Sequence, residues 1–451
     1  MALTAAEQYS LELINRARLD PAAEAARYGI NLNAGLAAGT ISTASKQVVA
    51  PNAQLENSAI GHSKWMLAED VFSHTGSGGS TSGQRATAAH YTWSNVGENL
   101  AVRYTSGKMD TNSASPAQHQ DLFLSAGHRS NMMKSVYQEI GIAQERGNFT
   151  LSGHTYDASM LTEVYGRPKA ANVFLTGVTY NDTDKNSFYN IGEAAGGVSF
   201  SSQGKTTTSA DSGGYALGLK AGGAVGVTGS VAGHAFSATV NLDAGNVKLD
   251  VVNSNLFLTS GSLTLGSGID AATLLGLSDL RLTGNARANS LNGNNGSNVI
   301  AGGGGADTMH GSGGNDILTG SDGSDRMYGD RGNDRLYGGS GNDNIMGATG
   351  TDLLDGGSGA DRLTGDASAD SFVFRAGFGK DVVTDFTAGD GDKLLLDDTL
   401  WAGKSLSAAQ VVSQFAHVVA GNVVFEFNHD TTLTLNGLTS TAKLAAAIDI
   451  I

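Results

Sequence analysis

The chain has no cysteine and only four prolines in 451 residues. Without cysteine there is neither a disulfide framework nor a thiolate metal site. A stabilising cross-link would have to be of another kind, such as a bound metal ion, and secretion is not excluded. Cations are scarce as well: 28 Lys and Arg against 43 Asp and Glu leave a formal charge of −15. That balance argues against nucleic acid and anionic membrane surfaces as partners, and it leaves a store of carboxylates for cations. No apolar run reaches the ~18 residues of a membrane span, so no transmembrane segment is expected. The first residues, MALTAAEQ, lack the basic and apolar regions of a cleaved signal peptide, so any export address is expected elsewhere. What the chain has in excess is glycine, 63 residues. With so little proline this excludes collagen and predicts many turns at positive φ.

Composition shifts along the chain predict a multidomain protein with boundaries at 1–170, 171–253, 254–283, 284–373 and 374–451. In the first segment Leu3 to Arg18 reads as an amphipathic helix stopped near Asp20-Pro21. Further helices are expected over Leu55 to Asp70 and Ala117 to Leu124, and strands at Glu139 to Ala143, Phe149 to Ser152 and Leu161 to Tyr165, an α+β mixture. The second segment has short apolar runs at Val173–Val178, Gly197–Phe200, Tyr215–Leu219, Val225–Thr228 and His234–Val240. Their spacing by Gly, Asn and Asp is the cadence of a small β-sandwich. Residues 254–283 keep strand character and bridge to a repeat array. After the array, Val423–Phe427 and Thr432–Leu435 are again strand-like.

In the array, glycine recurs every nine residues at 284, 293, 302, 311, 320, 329, 338, 347, 356 and 365. The sixth position is Asp307, Asp316, Asp325, Asp334, Asp343, Asp352, Asp361 and Asp370, preceded by Asn289 and Asn298 in the first two units. The eighth is always apolar, from Leu291 through Ile300, Met309, Leu318 and onward to Phe372. This pattern, G-G-x-G-x-D-x-U-x, resembles the calcium-binding nonapeptide repeat of RTX proteins. The resemblance implies a parallel β-roll: two units per coil, the apolar position inside, alternate acids on opposite edges. One ladder would hold Asp307, Asp325, Asp343 and Asp361, the other Asp316, Asp334, Asp352 and Asp370. Carboxylates about 4.8 Å apart on stacked strands repel by roughly 3 kcal/mol per pair at an effective dielectric near 20. A hard divalent cation turns that repulsion into a cross-link; about six full Ca2+ sites are expected. The following segment, Ser371-Phe-Val-Phe and Gly379-Lys-Asp-Val-Val-Thr-Asp-Phe, resembles the closing piece of such rolls in exoproteins. The end, Asp449-Ile450-Ile451, resembles the uncleaved C-terminal signal of bacterial type I secretion substrates.

A second calcium candidate places Asp182, Asp184, Asn186, Asn190 and Glu193 at the ligand spacing of an EF-hand loop. Ser187 stands where that motif has glycine, and the flanks read as strands. The stretch therefore resembles the calcium loop of transthyretin-like or B-type repeat sandwiches of bacterial surface proteins. A polar hairpin loop without an ion is the alternative.

The N-terminal segment carries Phe72-Ser73-His74-Thr75, Val96-Gly97-Glu98-Asn99-Leu100 and Gly127-His128-Arg129. Two histidines and a glutamate are a metal-ligand set of the kind zinc takes; equally, histidine is often a packed polar residue. With Leu13-Ile14-Asn15-x-Ala17-Arg18, His62-Ser63-x-x-Met66 and Tyr137-x-Glu139-Ile140-Gly141-Ile142, these motifs over residues 4–167 resemble the bacterial branch of the CAP (SCP-domain) superfamily. The resemblance implies an α–β–α sandwich with a cleft bearing two histidines and two acids. His74, Glu98 and His128 map onto three of these. The second glutamate has no counterpart, since the chain reads Leu122-Phe123-Leu124-Ser125 there, which implies a three-ligand or empty Zn2+ site, or a Glu98 that orients a histidine.

The expectation is a secreted, extracellular calcium-binding protein, a substrate of type I secretion machinery, whose CAP domain binds an unidentified target without catalysis. A metal-dependent hydrolase using His74, Glu98 and His128, with no H-E-x-x-H motif to support it, and a lipid- or small-molecule-binding cleft are the alternatives.

Overall fold

The computed structural model describes residues 2–170, 172–243 and 245–451, in two compact units, Met1–Gly261 and Ser262–Ile451.

The first unit opens with helix α1 (Ala5–Leu19), started by a capping box in which Thr4 accepts from the Glu7 N–H and Glu7 accepts from the Thr4 N–H. It stops because Asp20 caps the next helix, α2 (Pro21–Arg27), whose first residue is proline. There follow β1 (Ala50–Pro51), α3 (Ala53–Ala68), α4 (Ser82–Ala88), β2 (Trp93–Thr105), α5 (Thr111–Leu124), α6 (Ala126–Met132), β3 (Glu139–Leu151) and β4 (His154–Pro168). Helix α5 begins a turn and a half before the expected Ala117. Pro116 lies inside it, and its true start is Asp110, whose carboxylate accepts from the Asn112 and Ser113 N–H groups. The three expected strands merge into one antiparallel pair, β3 and β4. They are joined by Ser152 (φ 52°) and Gly153 (φ 80°), a two-residue turn with both φ positive.

The four strands run in the order β1-β3-β4-β2. Alternation along β3 and β4 sends Ile140, Ile142, Leu161 and Tyr165 to one face, against Leu11, Ile14, Leu122, Phe123 and Met132 of α1, α5 and α6. Ala143, Met160 and Val164 go to the other, against Leu55, Ala59 and Met66 of α3. Helices therefore cover both faces, as an α–β–α sandwich requires. At Gly141 a Cβ would collide with the Leu55 and Glu56 backbone, so glycine here lets α3 lie directly on β3.

A β-sandwich follows within the same unit. One sheet pairs β5 (Asn172–Tyr180) with β8 (Gly214–Lys220) and with β11 (Val247–Val252), which also pairs β12 (Leu256–Thr259). The other pairs β6 (Ser199–Ser202) with β7 (Lys205–Thr208) and β9 (Ala224–Val231), and β9 with β10 (His234–Asn241). Phe200 stacks on Tyr215 at 3.8 Å, with Phe236 and Phe257 continuing the core. Helix α1 packs on this sandwich: Lys248 meets Glu12 at 2.8 Å, and the Arg16 guanidinium lies 4.7 Å over Phe188.

The second unit is a parallel β-roll. Strands Ser290–Asn292, Thr308–His310, Arg326–Arg331, Asn344–Thr349, Arg362–Ala367 and Lys380–Val383 form one sheet; Val299–Gly304, Ile317–Asp322, Arg335–Ser340, Leu353–Ser358, Ser371–Phe374 and Lys393–Leu396 form the other. Pairing is in register at an 18-residue step, as in Ile300 with Leu318 and Leu318 with Leu336, so two nonapeptides make one coil. The eighth-position side chains, Leu291 through Phe372, are all fully buried. A helix (Ala408–Phe415) and antiparallel strands at Ala416–Val419, Asn422–Asn428 and Thr431–Leu435 close the unit, and Ile448–Ile450 pairs with Leu394–Leu396.

Candidate functional site

The roll presents its acids in two ladders with one repeated geometry. The Asp307 N–H donates to Asp325 Oδ1 at 2.8 Å, Asp325 to Asp343, and Asp343 to Asp361. On the other edge Asp316 donates to Asp334 at 2.7 Å, Asp334 to Asp352, and Asp352 to Asp370. Each sixth-position Asp is thus buried with one oxygen used. The second oxygen, Oδ2 of Asp307, Asp316, Asp325, Asp334, Asp343, Asp352 and Asp361, is buried with no hydrogen-bond partner among the described residues.

Those oxygens share their space with carbonyls. A Cβ on Gly311 would meet Asp316 Oδ2 at 2.5 Å and Gly329 O at 2.6 Å; on Gly329 it would meet Asp334 Oδ2 at 2.5 Å and Gly347 O at 2.8 Å. Glycine at the first position keeps open a cradle bounded by carboxylate and carbonyl oxygen. An all-oxygen donor set with unpaired anions fits a hard cation such as Ca2+. Without one, burial pushes the carboxyls up, to about 7 for Asp316, Asp334 and Asp343 and about 6 for Asp307 and Asp361, the backbone hydrogen bond only partly opposing it.

The asparagines of the first two units solve the same problem differently. Asn298 keeps the ladder, its N–H donating to Asp316 Oδ1 at 2.6 Å, but its own amide donates to Asn294 Oδ1 at 3.1 Å. Asn289 likewise donates to Asp270 O at 3.3 Å. An amide NH2 supplies the positive end that an Asp would require from an ion. At the far end the ladders continue past the nonapeptides: Asp361 donates to Asp381 Oδ1 at 3.0 Å, and Asp370 to Asp392 Oδ1 at 3.0 Å. The nine-residue phase had hidden both, because the turns before them are two residues longer. The surviving signal is the D-x-U triplet, with Val383 and Leu394 fully buried.

In the N-terminal domain His74 Nδ1 lies 2.9 Å from Glu98 Oε1. Arg85 of α4, unremarked in the sequence, donates to Glu98 Oε2 at 2.5 Å and to His74 O at 3.1 and 3.2 Å. The His128 ring is 6.3 Å from that of His74, centroid to centroid, and burial lowers its pKa. His62 Nε2 contacts Ser73 O at 2.9 Å and lies 3.9 Å from Glu98. Beneath the cleft, Glu163 accepts from Tyr165 (2.6 Å) and Asn99 (3.2 Å), and Asn99 also donates to His128 O (3.3 Å). Burial carries the Glu163 carboxyl up to about 7. A lone acid in the apolar run Met160–Tyr165 was its sequence signal.

The zinc expectation does not fit this arrangement. Both Glu98 oxygens are engaged, Oε2 by Arg85 and Oε1 by His74, and among the described residues no three His, Asp or Glu ligand atoms converge here. The geometry is that of a carboxylate orienting an exposed histidine, His74, whose side chain is 57% accessible against 3% for Glu98.

In the loop between β5 and β6, one oxygen each of Asp182, Asp184 and Glu193 lie within 4.8 Å of one another. Asn186 and Asn190 both donate to Asp184 Oδ2, at 2.9 and 3.0 Å. Ser187 takes φ 57°, the left-handed turn for which glycine is usual.

Comparison with known proteins agrees with this division. The model of the cysteine-rich secretory protein family (CAP) matches residues 11–152, and that of the RTX calcium-binding nonapeptide repeat matches 283–318, 319–354 and 346–382. Among curated proteins none matches. An extracellular SCP-domain protein from Bacillus anthracis str. Ames is similar at 23% identity over 27% of this chain and 34% of its own (TM-score 0.20). The extracellular lipase LipA from Serratia marcescens is similar at 16% identity over 42% of this chain and 41% of its own (TM-score 0.19). The chain therefore spans about a third and two fifths of these solved structures. It is a multidomain protein that joins a CAP domain to a β-roll of RTX calcium-binding repeats.

Proposed function

We propose that this protein acts outside the cell as a calcium-dependent binding protein, in which a β-roll folded by Ca2+ carries a CAP domain of interaction type. The observation that carries this is the set of buried, unpartnered Oδ2 atoms repeated on both roll edges. In a low-calcium cytosol those carboxylates repel and keep the roll open, which suits passage through type I secretion machinery; millimolar Ca2+ outside would close it. The ligands are Asp307, Asp316, Asp325, Asp334, Asp343, Asp352, Asp361 and Asp370 with the glycine carbonyls beside them. The loop of Asp182, Asp184, Asn186, Asn190 and Glu193 is a separate candidate for Ca2+, supported by its three converging carboxylates. A non-catalytic cleft is supported by the Arg85 and His74 contacts that occupy Glu98. The test is export and folding together. Secretion from cells carrying a type I exporter should be lost on deletion of residues 374–451, and the exported chain should gain strand signal on adding Ca2+. Export unaffected by the deletion would overturn the secretion part; a strand signal indifferent to chelation would overturn the calcium part.

The exposed His74, hydrogen-bonded to a buried carboxylate, favours one second reading, a hydrolase with His74 as general base. Turnover of ester or amide substrates, abolished by His74→Ala, would support it. Stoichiometric zinc lost in the same variant would restore the metal-dependent form.

A further inference from the structure

The two acid ladders end differently, and the difference concerns residues outside the nonapeptide pattern. Asp381 and Asp392 occupy equivalent places, each accepting through Oδ1 the N–H of the last repeat Asp on its edge. Both sit on turns two residues longer than the repeat, and both are followed two residues later by a fully buried apolar side chain. Their second oxygens part company. Asp392 Oδ2 accepts the Thr387 N–H at 2.7 Å, so that carboxylate is satisfied by two backbone donors. Asp381 is 1% exposed, and its Oδ2 has no partner among the described residues. Asp361 Oδ2, one coil earlier, is equally unpartnered. Gly379 pairs with Gly359 across the same turn, and the Lys380 N–H donates to Gly359 O at 3.0 Å. The step from Asp361 to Asp381 thus repeats what holds from Asp343 to Asp361: a backbone bond to Oδ1 and two buried anionic oxygens left over.

We infer that Asp361 and Asp381 form an additional Ca2+ site that closes one edge of the roll, whereas the other edge closes at Asp392 by hydrogen bonds without an ion. This rests on the calcium reading of the ladders. One edge then has four acid-to-acid gaps and the other three that need a cation, so the roll takes up seven Ca2+ rather than six. The asymmetry has a physical origin in the turn: the 385–392 segment folds back to present the Thr387 N–H, and the 375–381 segment presents no such donor to Asp381.

The test uses the full chain with Glu193→Gln, so that the loop candidate does not blur the count. Native mass spectrometry after equilibration in calcium should give seven ions in the roll. Six would overturn the inference while leaving the ladders intact, and none would overturn the calcium reading itself. In the same background Asp381→Asn should bind one Ca2+ fewer and Asp392→Asn the unchanged number. A wild-type count in Asp381→Asn, or a loss of one in Asp392→Asn, would contradict the assignment. The count on the unsubstituted ladder decides the matter even where Asp381→Asn does not fold.

Discussion

The CAP domain and the β-roll both bury charge, and they treat it in opposite ways. In the CAP domain the counter-groups are covalently part of the chain. Arg18 is completely buried, yet donates to the carbonyls of Gln47, Met132, Lys134 and Tyr137. Arg129 does the same for Leu32, Ala34, Phe123 and Leu124. Glu24 is held by Arg16 at 2.8 Å and His119 at 3.1 Å, and Glu98 by Arg85 and His74. In the roll the repeat acids from Asp307 to Asp361 have no such partners beyond one backbone N–H each. A fold whose polar groups are satisfied internally is complete as synthesised, whereas one that leaves carboxylates unpaired is conditional on an ion.

The largest expected effect follows directly. Chelation with EGTA should unfold the roll while the CAP domain keeps its structure. Hydrogen exchange resolved by peptide should show protection lost throughout 284–396 and retained in β3 and β4. Uniform retention, or uniform loss, would erase the distinction.

Acid should partly reverse that unfolding. The roll Asp pKa values are raised in the folded state, so the apo roll binds protons more tightly than the unfolded chain. The stability this gives is fully present below the unfolded value near 3.8 and is lost as pH rises through about 6 to 7. In EGTA, then, strand signal should increase as pH falls from 8 to 5. Glu24 has the opposite sign. Burial raises it, but His119 and Arg16 outweigh that and bring it down to about 2, so its contribution is present above the unfolded value near 4.5 and lost only as pH falls through about 2. Glu163, whose Oε1 has no partner among the described residues, and Glu56 are exceptions in the CAP domain, both raised by burial to about 7. Circular dichroism against pH, with and without chelator, separates the two regions; an apo roll that loses signal on acidification would contradict the assignment.

Arg85→Ala removes the guanidinium from a buried Glu98 and should cost the CAP domain about 3–5 kcal/mol, without changing calcium binding. Adding Glu98→Gln should recover part of it, because a neutral amide tolerates the loss better. A double-mutant cycle by urea denaturation measures this. Smaller still, Asn298→Asp replaces an amide that donates to Asn294 by a second acceptor. At limiting Ca2+, where the roll is still folded, it should cost about 1–3 kcal/mol, and saturating Ca2+ should offset it. No calcium dependence of that difference would argue that Asn298 is not a substitute for the ion.

Much of this was legible in the sequence where a period repeats. The glycine phase, the eight acids and the apolar eighth positions predicted the roll, its two edges and its core, because each coil poses an identical packing problem. The motifs around His74, Glu98 and His128 likewise pointed to the CAP fold. What failed depended on a partner distant in sequence or on a broken period. Arg85 shows its role only when α4 brings it to Glu98. Asp381 and Asp392 lie on lengthened turns where the D-x-U triplet is what survives of the repeat, and the backbone bonds show that they continue the ladders. Helix α5 was expected only from Ala117, whereas its start is fixed by the cap at Asp110 and Pro116 lies within it.

The most direct test is a calcium titration of the metal-stripped chain followed by far-UV circular dichroism and peptide-resolved hydrogen exchange in one series. Strand signal and protection in residues 284–396 should rise together and cooperatively with bound Ca2+ while the CAP domain stays unchanged. A roll already protected before any calcium is added would contradict the account.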